Sequence, residues 1–567
     1  MCNLILLFLI LQNFNFVVLG DRTGGAKDEV FEQIIKEIKI LKPDFLITVG
    51  DLIEGYTNKK ETVESEWNYV LGQMNQIAIP FYLTPGNHDI WDAQSESIYI
   101  RHFGKTYYSF DYQRCHFVII DNSRCDSFAE IPQIQLEWLK RDLKRHKRAP
   151  LTFCFLHKPF WHYPSQAEKI HQIFKQGGVD YVFSGHNHHY FSKIWDSIVY
   201  IQVGPSGSRY KNYTKEAQGA FQNYLLVKIK NNQAQVIVIK PGNIIPYDIV
   251  TEAAIKAIDR IEQELVQISR IKVLENQTIQ DTISLTIKNI TDFDLNTKIK
   301  WTADSTSWQI IPESAICILP SKSSGYYRFN CRLTKPESIF PLPRLSLRCP
   351  YGLNREYEIR KFLPIQRVVP SYFAPKPPII DGQLNDAIWR SQKPLTAFGN
   401  SEGLRSEIEQ TAVYFAYDEN NLYIGAKCDE SEVTKLSTKV TSYDGTVYQD
   451  DHLNFILQPN LDSSVYYQIF INPLGTVSDR KCWLEETRSI KDQSWNLIAQ
   501  VKVNQAKDNW TLELAIPFAQ FINYSKENWG LNLVRYQHRL NKIGVFQVPF
   551  AHDPKTFAFI KFLRSAK

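Results

Sequence analysis

Apolar and polar positions in the first 250 residues follow two alternating patterns. Short runs rich in β-branched and aromatic residues, FNFVVLGD, DFLITVGD, LTFCFLH and VDYVFSGHNH, are typical of buried strands, and each ends in polar residues. Elsewhere in this region, residues 28–41 and 133–146 carry apolar residues at helical spacing with charged residues between them. Residues 14–250 are therefore predicted to form an α/β domain.

Helical spacing then fades, and the rest of the chain is β-rich. NYLLVKIKNNQAQVIVIK predicts a hairpin that turns at Asn231 and Asn232, and residues 251–270 predict a connecting helix. Residues 271–364 contain short alternating strands such as TISLTIK and GYYRFNCRL, and this region resembles an immunoglobulin-like β-sandwich. It carries no clustered chemistry, which favours a spacer role.

A proline-rich stretch, VVPSYFAPKPPIIDG, separates this region from the C-terminal part of the chain. It predicts a stiff linker over residues 365–378. Residues 379–567 return to alternating strands, as in TAVYFAYDENNLYIGAKC. Because 567 residues exceed what one core accommodates, the chain is predicted to be multidomain, with an α/β domain followed by two all-β sandwich domains.

Composition and charge exclude several functional classes. A net charge of +5 is small for this length and gives no electrostatic case for nucleic-acid binding. Nine cysteines form no CxxC spacing, which argues against zinc-finger and redox motifs. No segment approaches the roughly 18 apolar residues of a transmembrane helix, so none is predicted.

The N-terminus predicts export, although its pattern is unusual. Leu4 to Leu11 form an apolar octet, but no Lys or Arg precedes it and no small-x-small site follows before Phe14. We expect residues 1–13 to be an atypical or truncated signal and the protein to be periplasmic or extracellular. The alternatives are an extended first strand or a mis-chosen start codon, in which case the protein is cytoplasmic.

Polar clusters follow five of the predicted strands. They are Asp21, Gly50-Asp51, Gly86-Asn87-His88-Asp89, His157 and Gly185-His186-Asn187-His188. Polar residues at strand ends lie at the rim of a sheet, where α/β proteins build their sites. Carboxylate, amide and imidazole groups together suit a pair of transition-metal ions. Each cluster alone is a weak signal, but the ordered set is specific.

This ordered set, GD…GD…GNHD…H…GHNH, resembles the calcineurin-like metallophosphoesterases, as do LHKP at 156–159 and the QLEWL segment. The resemblance implies a four-layer α/β/β/α domain that hydrolyses a phosphate mono- or diester with hydroxide activated by two divalent ions, Mn, Fe, Zn or Co. By the same resemblance, the ligands of metal A are Asp21, Asp51 and His188. Those of metal B are Asp51, Asn87, His157 and His186.

Catalytic roles follow from the same resemblance. His88 would contact the phosphate or protonate the leaving oxygen, and Asp89 would orient His88. Arg22 would supply positive charge to a phosphate oxygen, or would be a structural arginine paired with a nearby carboxylate. His102 and His116 are expected to be structural.

One position departs from the family pattern. The family opens with Asp-x-His, but this chain has Asp21-Arg22-Thr23 and lacks that imidazole. Three outcomes are open. Metal A binds with one ligand fewer, with water or Thr23 in the gap; His189 or His162 substitutes; or metal A is weak or absent and the protein is a one-metal or inactive form.

The C-terminal region carries a second resemblance. IIDGQLNDAIW, DDHLNFILQPN, INPLGTVSD, WTLELAIPF and WGLNLVR together resemble the family 9 carbohydrate-binding modules. Sugar rings would stack on exposed aromatic side chains, for which Trp483 and Trp495 are the first candidates and Tyr443 and Tyr448 the next. Trp389, Trp510 and Trp529 are expected in the core. Asp450 and Asp451 are candidates for a structural calcium site, although adjacent carboxylates on a strand point to opposite faces.

The sequence therefore favours a secreted, modular metallophosphoesterase that its C-terminal module targets to glycans. The alternative is a carbohydrate-binding protein whose phosphatase domain is degenerate, weakly active or inactive because of Thr23. A glycoside-degrading enzyme is a further rival, since such modules often accompany these enzymes. No acidic pair in a plausible catalytic scaffold supports it.

Overall fold

The computed structural model of the chain describes residues 13–564 except 129, 212, 305 and 487. Residues 1–12 of the predicted leader lie outside the described residues. The chain divides into two compact units, one ending at Arg260 and the other beginning at Ile261. No helix in the described part of the chain is long and apolar enough to cross a bilayer.

The first unit alternates strands and helices, as the apolar pattern predicts. Its strands are β1 Asn13–Leu19, β2 Phe45–Thr48, β3 Phe81–Tyr82, β4 Tyr108–Tyr112, β5 Cys115–Ile119, β6 Thr152–Phe155, β7 Tyr181–Ser184, β8 Phe191–Trp195, β9 Ile198–Gln202, β10 Tyr224–Lys230, β11 Gln233–Lys240 and β12 Asn243–Ile245. Its helices are α1 Asp28–Leu41, α2 Lys60–Met74, α3 Ala93–Phe103, α4 Gln133–Arg145, α5 Pro164–Gly177 and α6 Glu252–Arg260.

These strands form one sheet in the order β12-β11-β10-β1-β2-β3 and another in the order β4-β5-β6-β7-β9-β8. The central strands run parallel: β1 with β2 and β3 in the first sheet, and β5 with β6, β7 and β9 in the second. The carboxyl ends of parallel strands meet at one edge of a sheet, so the loops that follow them lie together.

Alternate residues of each strand face different apolar clusters. Phe16 of β1 packs with Phe117 of β5 and Phe153 of β6, which joins the two sheets. Its neighbour Val17 faces the other way and packs with Phe31 of α1. Helices α4 and α5 cover the outer face of the second sheet in the same manner. The period-2 geometry of a strand thus gives each sheet one face toward the other sheet and one toward helices.

The second unit consists almost entirely of strands. They are β13 Val266–Ile268, β14 Ile271–Leu274, β15 Ile279–Lys288, β16 Leu295–Thr302, β17 Trp308–Ile311, β18 Ser314–Leu319, β19 Ser324–Leu333, β20 Arg344–Gly352, β21 Arg355–Phe362, β22 Ile365–Phe373, β23 Thr411–Tyr417, β24 Asn421–Asp429, β25 His452–Gln458, β26 Tyr466–Ile471, β27 Val477–Glu485, β28 Arg488–Asp492, β29 Gln500–Gln505, β30 Asn509–Pro517, β31 Asn528–Gln537, β32 Lys542–Val545 and β33 Ala558–Leu563. A short helix, α7, spans Ala387–Arg390.

The region predicted as an immunoglobulin-like sandwich contains sheets β13-β15-β19-β17 and β18-β16-β20-β21. Ile283, Leu285 and Ile287 of β15 are buried and alternate with more exposed residues, as a strand with one covered face requires. The predicted connecting helix is shorter than its pattern. After α6, residues 261–265 form a single π-helical turn, and β13 begins at Val266.

The C-terminal strands form one continuous 13-stranded sheet. Its strand order is β28-β27-β26-β25-β31-β33-β22-β23-β24-β30-β29, with β14 paired to β22 and β32 paired to β31. Trp510 and Trp529 lie in its core, and Trp389 is buried in a smaller cluster beside it, as expected for these three side chains.

The stretch that predicts a linker begins instead with a strand, β22, which pairs with β14, β23 and β33. Arg367 in this strand is buried and forms a two-pronged ion pair with Glu275, at 2.5 and 2.9 Å. Only the residues after Phe373, where three of the four prolines of this stretch stand, leave the sheet.

Candidate metal centre

The predicted ligands lie on loops that follow parallel strands. Asp21 follows β1, Asp51 follows β2, His157 follows β6, and His186 and His188 follow β7. Asp51, His186 and His188 have φ values of 59°, 73° and 52°. Left-handed backbone at non-glycine residues is strained and persists only where the surroundings hold it, and it often clusters at functional sites.

The ligands meet as two sets that share one carboxylate. Asp21, Asp51 and His188 bring ligand atoms within 4.8 Å of one another, and Asp51, His157 and His186 do the same. The carboxylates of Asp21 and Asp51 are fully buried. The structure therefore brings together the residues of the predicted A and B sets, with Asp51 between them.

In the B set, lone pairs converge on one point. His157 Nδ1 lies 2.8 Å from the carbonyl oxygen of Val49, so it carries the proton and donates it there. Burial opposes protonation of this ring, but Asp51 and Asp21 outweigh burial and raise the pKa of His157 to about 9, so a proton competes with a cation for Nε2. This nitrogen lies 3.1 Å from Asp51 Oδ2, 3.0 Å from Asn87 Oδ1 and 3.2 Å from His186 Nδ1. One proton cannot satisfy these acceptors together, whereas a cation can.

The A set shows the same kind of fit. His188 Nδ1 lies 2.8 Å from the carbonyl oxygen of Arg209, which leaves Nε2 free and 3.7 Å from Asp21 Oδ1. His188 Nε2 and Asp51 Oδ2 are buried and have no hydrogen-bond partner of acceptable geometry among the described residues. Buried polar atoms are nearly always paired, so these two point to a bound ion.

The electrostatics agree with a cation site. Burial raises the pKa of Asp21 to about 7, and burial together with Asp51 raises the pKa of Asp89 to about 6. Burial also lowers the pKa of His186 and of His188, which keeps both imidazoles neutral as metal ligands must be. Crowded buried carboxylates are destabilised by one another, and a cation between them removes that penalty.

Residues 14–190 match the calcineurin-like phosphoesterase family, and residues 380–547 match the carbohydrate family 9 binding domain-like family. The chain carries a calcineurin-like phosphoesterase domain. Both resemblances seen in the sequence are thus confirmed. No curated protein matches the chain.

Solved structures similar to parts of the chain include a carbohydrate-binding module and a dimetal phosphatase. A family 9 carbohydrate-binding module of Caldicellulosiruptor kristjanssonii, solved with cellotriose, is 16% identical over 35% of this chain and 95% of its own, with a TM-score of 0.26. A dimetal phosphatase of Danio rerio is 11% identical over 40% and 98%, with a TM-score of 0.31. The anchor protein of the inner membrane complex of Plasmodium is 16% identical over 40% and 85%, with a TM-score of 0.33.

The position of the missing imidazole in the phosphoesterase domain is not refilled by another histidine. Thr23 is buried, and its backbone N–H donates to the carbonyl oxygen of Asp51 at 3.1 Å. His162 Nε2 lies 2.8 Å from Gln202 Oε1, and His189 Nδ1 lies 3.0 Å from the carbonyl oxygen of Asn187. Neither imidazole joins the described ligand sets, which leaves the A set with Asp21, Asp51 and His188.

Of the two roles predicted for Arg22, the contacts of its side chain fit the structural one. Its guanidinium donates to Asp28 Oδ1 at 2.6 Å and to the carbonyl oxygen of Leu52 at 2.9 Å, and it lies over the rings of Phe31 and Tyr69. The side chain is buried at 6% exposure. The prediction that Arg22 contacts the phosphate does not fit these contacts, because its charge is already paired with Asp28.

Asp89 does not orient His88 as predicted. Its carboxylate accepts the backbone N–H groups of Gly86, Asp51 and Leu52, each at 2.8 Å, and so ties the loop after β2 to the loop after β3. The His88 ring is oriented by the carbonyl oxygen of Glu54, 2.7 Å from Nδ1, while the His88 backbone N–H donates to Asp51 Oδ1. A backbone acceptor leaves no signal in the sequence.

Aromatic and basic residues that the motifs did not include also contact the site. The Tyr56 ring lies edge-on to His88 at 4.9 Å, and the Phe128 ring lies edge-on to His186 at 4.6 Å. Lys211 Nζ donates to the carbonyl oxygen of His186 at 3.2 Å. All three are in loops outside the motifs, and only the fold brings them to the ligands.

Tyr56 sets the orientation of a ligand residue. Its hydroxyl accepts a hydrogen bond from Asn87 Nδ2 at 3.1 Å, which leaves Asn87 Oδ1 facing His157. We expect Tyr56→Phe to weaken Mn²⁺ affinity about 10-fold, the lower end of the loss seen when a partner of a metal ligand is removed. Isothermal titration calorimetry, in which Mn²⁺ is added to protein stripped of metal with a chelator, measures this affinity.

Tyr163→Phe, at another exposed tyrosine near the site, is the matched control for that titration. Equal Mn²⁺ affinity in wild type and Tyr56→Phe would show that the hydroxyl does not hold Asn87.

In the C-terminal domain, the two tryptophans that are candidates for sugar binding, Trp483 and Trp495, do not stack on each other. Trp495 is half-buried and packs against Tyr467 at 4.5 Å, whereas Trp483 lies on β27 with its Nε1 donating to Glu485 at 3.0 Å. No ring contact joins Trp483 to Trp495 among the described residues. Tyr443 and Tyr448 are about half exposed, and the Tyr443 hydroxyl donates to Asp479.

Asp450 and Asp451, the candidates for a structural calcium site, accept hydrogen bonds from backbone N–H groups of neighbouring loops. Asp450 accepts the backbone N–H groups of Lys439 at 3.0 Å and Val440 at 2.9 Å, and Asp451 accepts those of Ser437 at 2.7 Å and His538 at 2.9 Å. Each carboxylate oxygen thus accepts at least one backbone N–H, and calcium ligation here stays a prediction. Both residues fix loops.

Proposed function

We propose that this protein is a metal-dependent phosphoesterase that hydrolyses a phosphate mono- or diester at a centre of two divalent transition-metal ions, Mn, Fe, Zn or Co. The observation that carries the proposal is the convergence of free lone pairs around His157 Nε2, beside a second set that shares Asp51. When bound, such ions polarise a phosphoryl oxygen and lower the pKa of water.

The residues of the chain take distinct roles in this proposal. Asp21, Asp51 and His188 hold one ion, and Asp51, Asn87, His157 and His186 hold the other. His88 exchanges a proton with the leaving oxygen. Its Nδ1–H donates to the carbonyl oxygen of Glu54 in both charge states, so the exchanged proton is the one at Nε2.

The domain organisation completes the proposal. Residues 14–250 form a layered α/β/β/α catalytic domain, supported by the separate apolar clusters on the two faces of each sheet. Residues 271–364 form the spacer sandwich, and residues 379–567 complete a glycan-binding domain. We place the protein outside the cytoplasm because a carbohydrate-binding domain accompanies the phosphoesterase.

The first test measures phosphate release from aryl phosphate monoesters and diesters by the full chain. The protein is stripped with a chelator and assayed again after Mn²⁺ is added back. We expect turnover only with metal, and the ratio of monoester to diester rates identifies the ester class. No turnover with Mn²⁺, Fe²⁺, Zn²⁺ or Co²⁺ would overturn the proposal for these substrates.

A second candidate function rests on Thr23. With the family imidazole absent, the A set has one protein ligand fewer, which favours a carbohydrate-binding protein with a weak or inactive phosphoesterase domain. Metal stoichiometry, compared between wild type and His188→Gln, separates the two, because His188 is a ligand of the A set alone. Filling of both ligand sets at micromolar metal supports the enzyme, whereas filling of the B set alone supports the alternative.

Sugar binding is assigned to partly exposed aromatic rings of the C-terminal domain. We expect Trp483→Ala to lower the affinity for a bound polysaccharide roughly tenfold, or ~1.4 kcal/mol, the scale of one lost aromatic contact. Trp495→Ala is expected to lower the affinity too. It should in addition lower the free energy of unfolding by roughly 2 kcal/mol, because the Trp495 ring packs on Tyr467 and Phe521.

Affinity electrophoresis over a panel of polysaccharides, together with urea unfolding, measures both effects. Tyr326→Ala is the control, because Tyr326 is 81% exposed on β19, outside the C-terminal domain. If wild type and Trp483→Ala bound every polysaccharide of the panel with equal affinity, Trp483 would be excluded from the sugar site.

A further inference from the structure

A second group of histidine and aspartate side chains lies where the β4–β5 hairpin meets the last turn of α4. Asp111 and His116 face each other across the hairpin, and Asp142 and His146 are one turn apart at the end of the helix. None of these four residues belongs to either ligand set of the phosphoesterase centre.

Asp142 occupies one nitrogen of each imidazole. His116 Nε2 lies 2.8 Å from Asp142 Oδ2, and His146 Nδ1 lies 2.9 Å from the Asp142 carbonyl oxygen. The other nitrogen of each ring faces Asp111. His116 Nδ1 is 2.7 Å from Asp111 Oδ1, and His146 Nε2 is 3.8 Å from Asp111 Oδ2.

This order of contacts is the one found around protein-bound metals. A metal-ligating histidine nearly always donates its second N–H to a carboxylate or a backbone carbonyl, which fixes the lone pair of the other nitrogen toward the ion. Asp142 supplies both kinds of acceptor here. The two rings stack at 3.9 Å between centroids and 15° between planes, and the remaining nitrogen of each ring faces Asp111.

We propose that His116 Nδ1, His146 Nε2 and the Asp111 carboxylate bind a divalent transition-metal ion, with Zn²⁺ the best match to two imidazoles and one carboxylate. Asp142 is a positioning residue. Asp111 is 55% exposed, so water reaches the fourth position.

Binding requires the His146 ring to turn out of the stack and the ligand atoms to move inward, because the in-plane lone pairs of two nearly parallel rings do not meet at one point. The three ligand atoms lie within 4.8 Å of one another, whereas ligand atoms around zinc are roughly 3.3 Å apart. His116 is buried and fixed, but His146 and Asp111 are 26% and 55% exposed and can shift without disturbing the core. The ion replaces the proton that His116 Nδ1 and Asp111 share, and that proton is released to solvent.

The test counts metal ions on the full chain. Protein stripped with a chelator is reloaded with Zn²⁺, desalted and analysed by mass spectrometry for zinc per chain. His146→Gln and Asp111→Asn, both at partly exposed positions, are each expected to hold one ion fewer than wild type. Loading with Co²⁺ should also remove part of the visible absorption band in these variants.

His102→Gln is the matched control, because the His102 imidazole pairs with Glu64 in a similar exposed histidine–carboxylate contact. It should hold as much zinc as wild type. Phosphoesterase activity should be unchanged in all three variants, so this result stands or falls separately from the proposed function. Equal zinc in wild type, His146→Gln and Asp111→Asn would overturn the proposal, as would an equal loss in His102→Gln.

Discussion

Asp51→Asn is expected to lower kcat/KM for metal-dependent phosphate release by roughly 10³-fold or more, the scale lost when a group that stabilises transition-state charge is removed. Asp51 is the carboxylate common to both ligand sets, so its loss weakens both at once. An amide keeps the size of the side chain and can still accept the His88 backbone N–H at Oδ1. Asparagine also tolerates the left-handed backbone at this position.

The measurement pairs steady-state kinetics with metal content. Asp51→Asn should lose bound metal along with activity and keep its unfolding temperature in chelator. Asp196→Asn, at an exposed aspartate paired with Lys175, controls for the loss of one carboxylate elsewhere on the domain. Retention of metal and turnover by Asp51→Asn would contradict the two-ion proposal at its shared ligand.

Asp89→Ala is expected to lower the free energy of unfolding of the phosphoesterase domain by about 3–5 kcal/mol, the range for breaking a buried charged network. The carboxylate is 1% exposed and accepts the N–H groups of Gly86, Asp51 and Leu52. Removing it leaves these donors buried without partners, and an unpaired buried N–H is itself destabilising. Asp89→Asn keeps one acceptor oxygen and should lose less.

Hydrogen exchange at the amides of Gly86, Asp51 and Leu52, read with urea unfolding, measures this effect directly. His88→Ala is the comparison, because it should lose activity without losing stability. If Asp89→Asn kept its stability and its amide protection but lost activity with an altered pH profile, Asp89 would instead orient His88.

The position of the polar clusters at the sheet rim could be predicted from the sequence because each cluster follows an apolar run, whereas their division into two ligand sets rests on the family resemblance. An Asp or His that follows a strand lies at the rim of the sheet, whichever distant segments pack on that strand. The positions of Asp21 and His157 could therefore be predicted from the neighbouring sequence alone. Partners set by loop geometry could not be predicted. His88 and Asp89 are neighbours in the chain, yet one ring nitrogen faces Glu54 and the carboxylate turns back to backbone N–H groups.

Long-range pairing explains the other differences. The prolines after Leu363 resemble a linker, but Ile365–Phe373 pairs with strands about 90 residues before it and 190 residues after it, which no local pattern reveals. The group of Asp111, His116, Asp142 and His146 likewise has no motif spacing. It forms only because a hairpin and a helix end meet.

Strand β22 has a consequence for modularity. It pairs with β14 of the spacer region and with β33 and β23 of the carbohydrate-binding-like sheet, and its Arg367 holds Glu275 from the spacer side. The match to the carbohydrate-binding family begins only at residue 380. A domain exchanged as a cassette at that boundary would leave β22 behind and expose the edge of β33. It would also take from Arg367 the carbonyl oxygens of Ala397 and Phe546, to which its guanidinium donates. We therefore expect the spacer and the carbohydrate-binding-like domain to be exchangeable only as one unit, with the cut placed before β13.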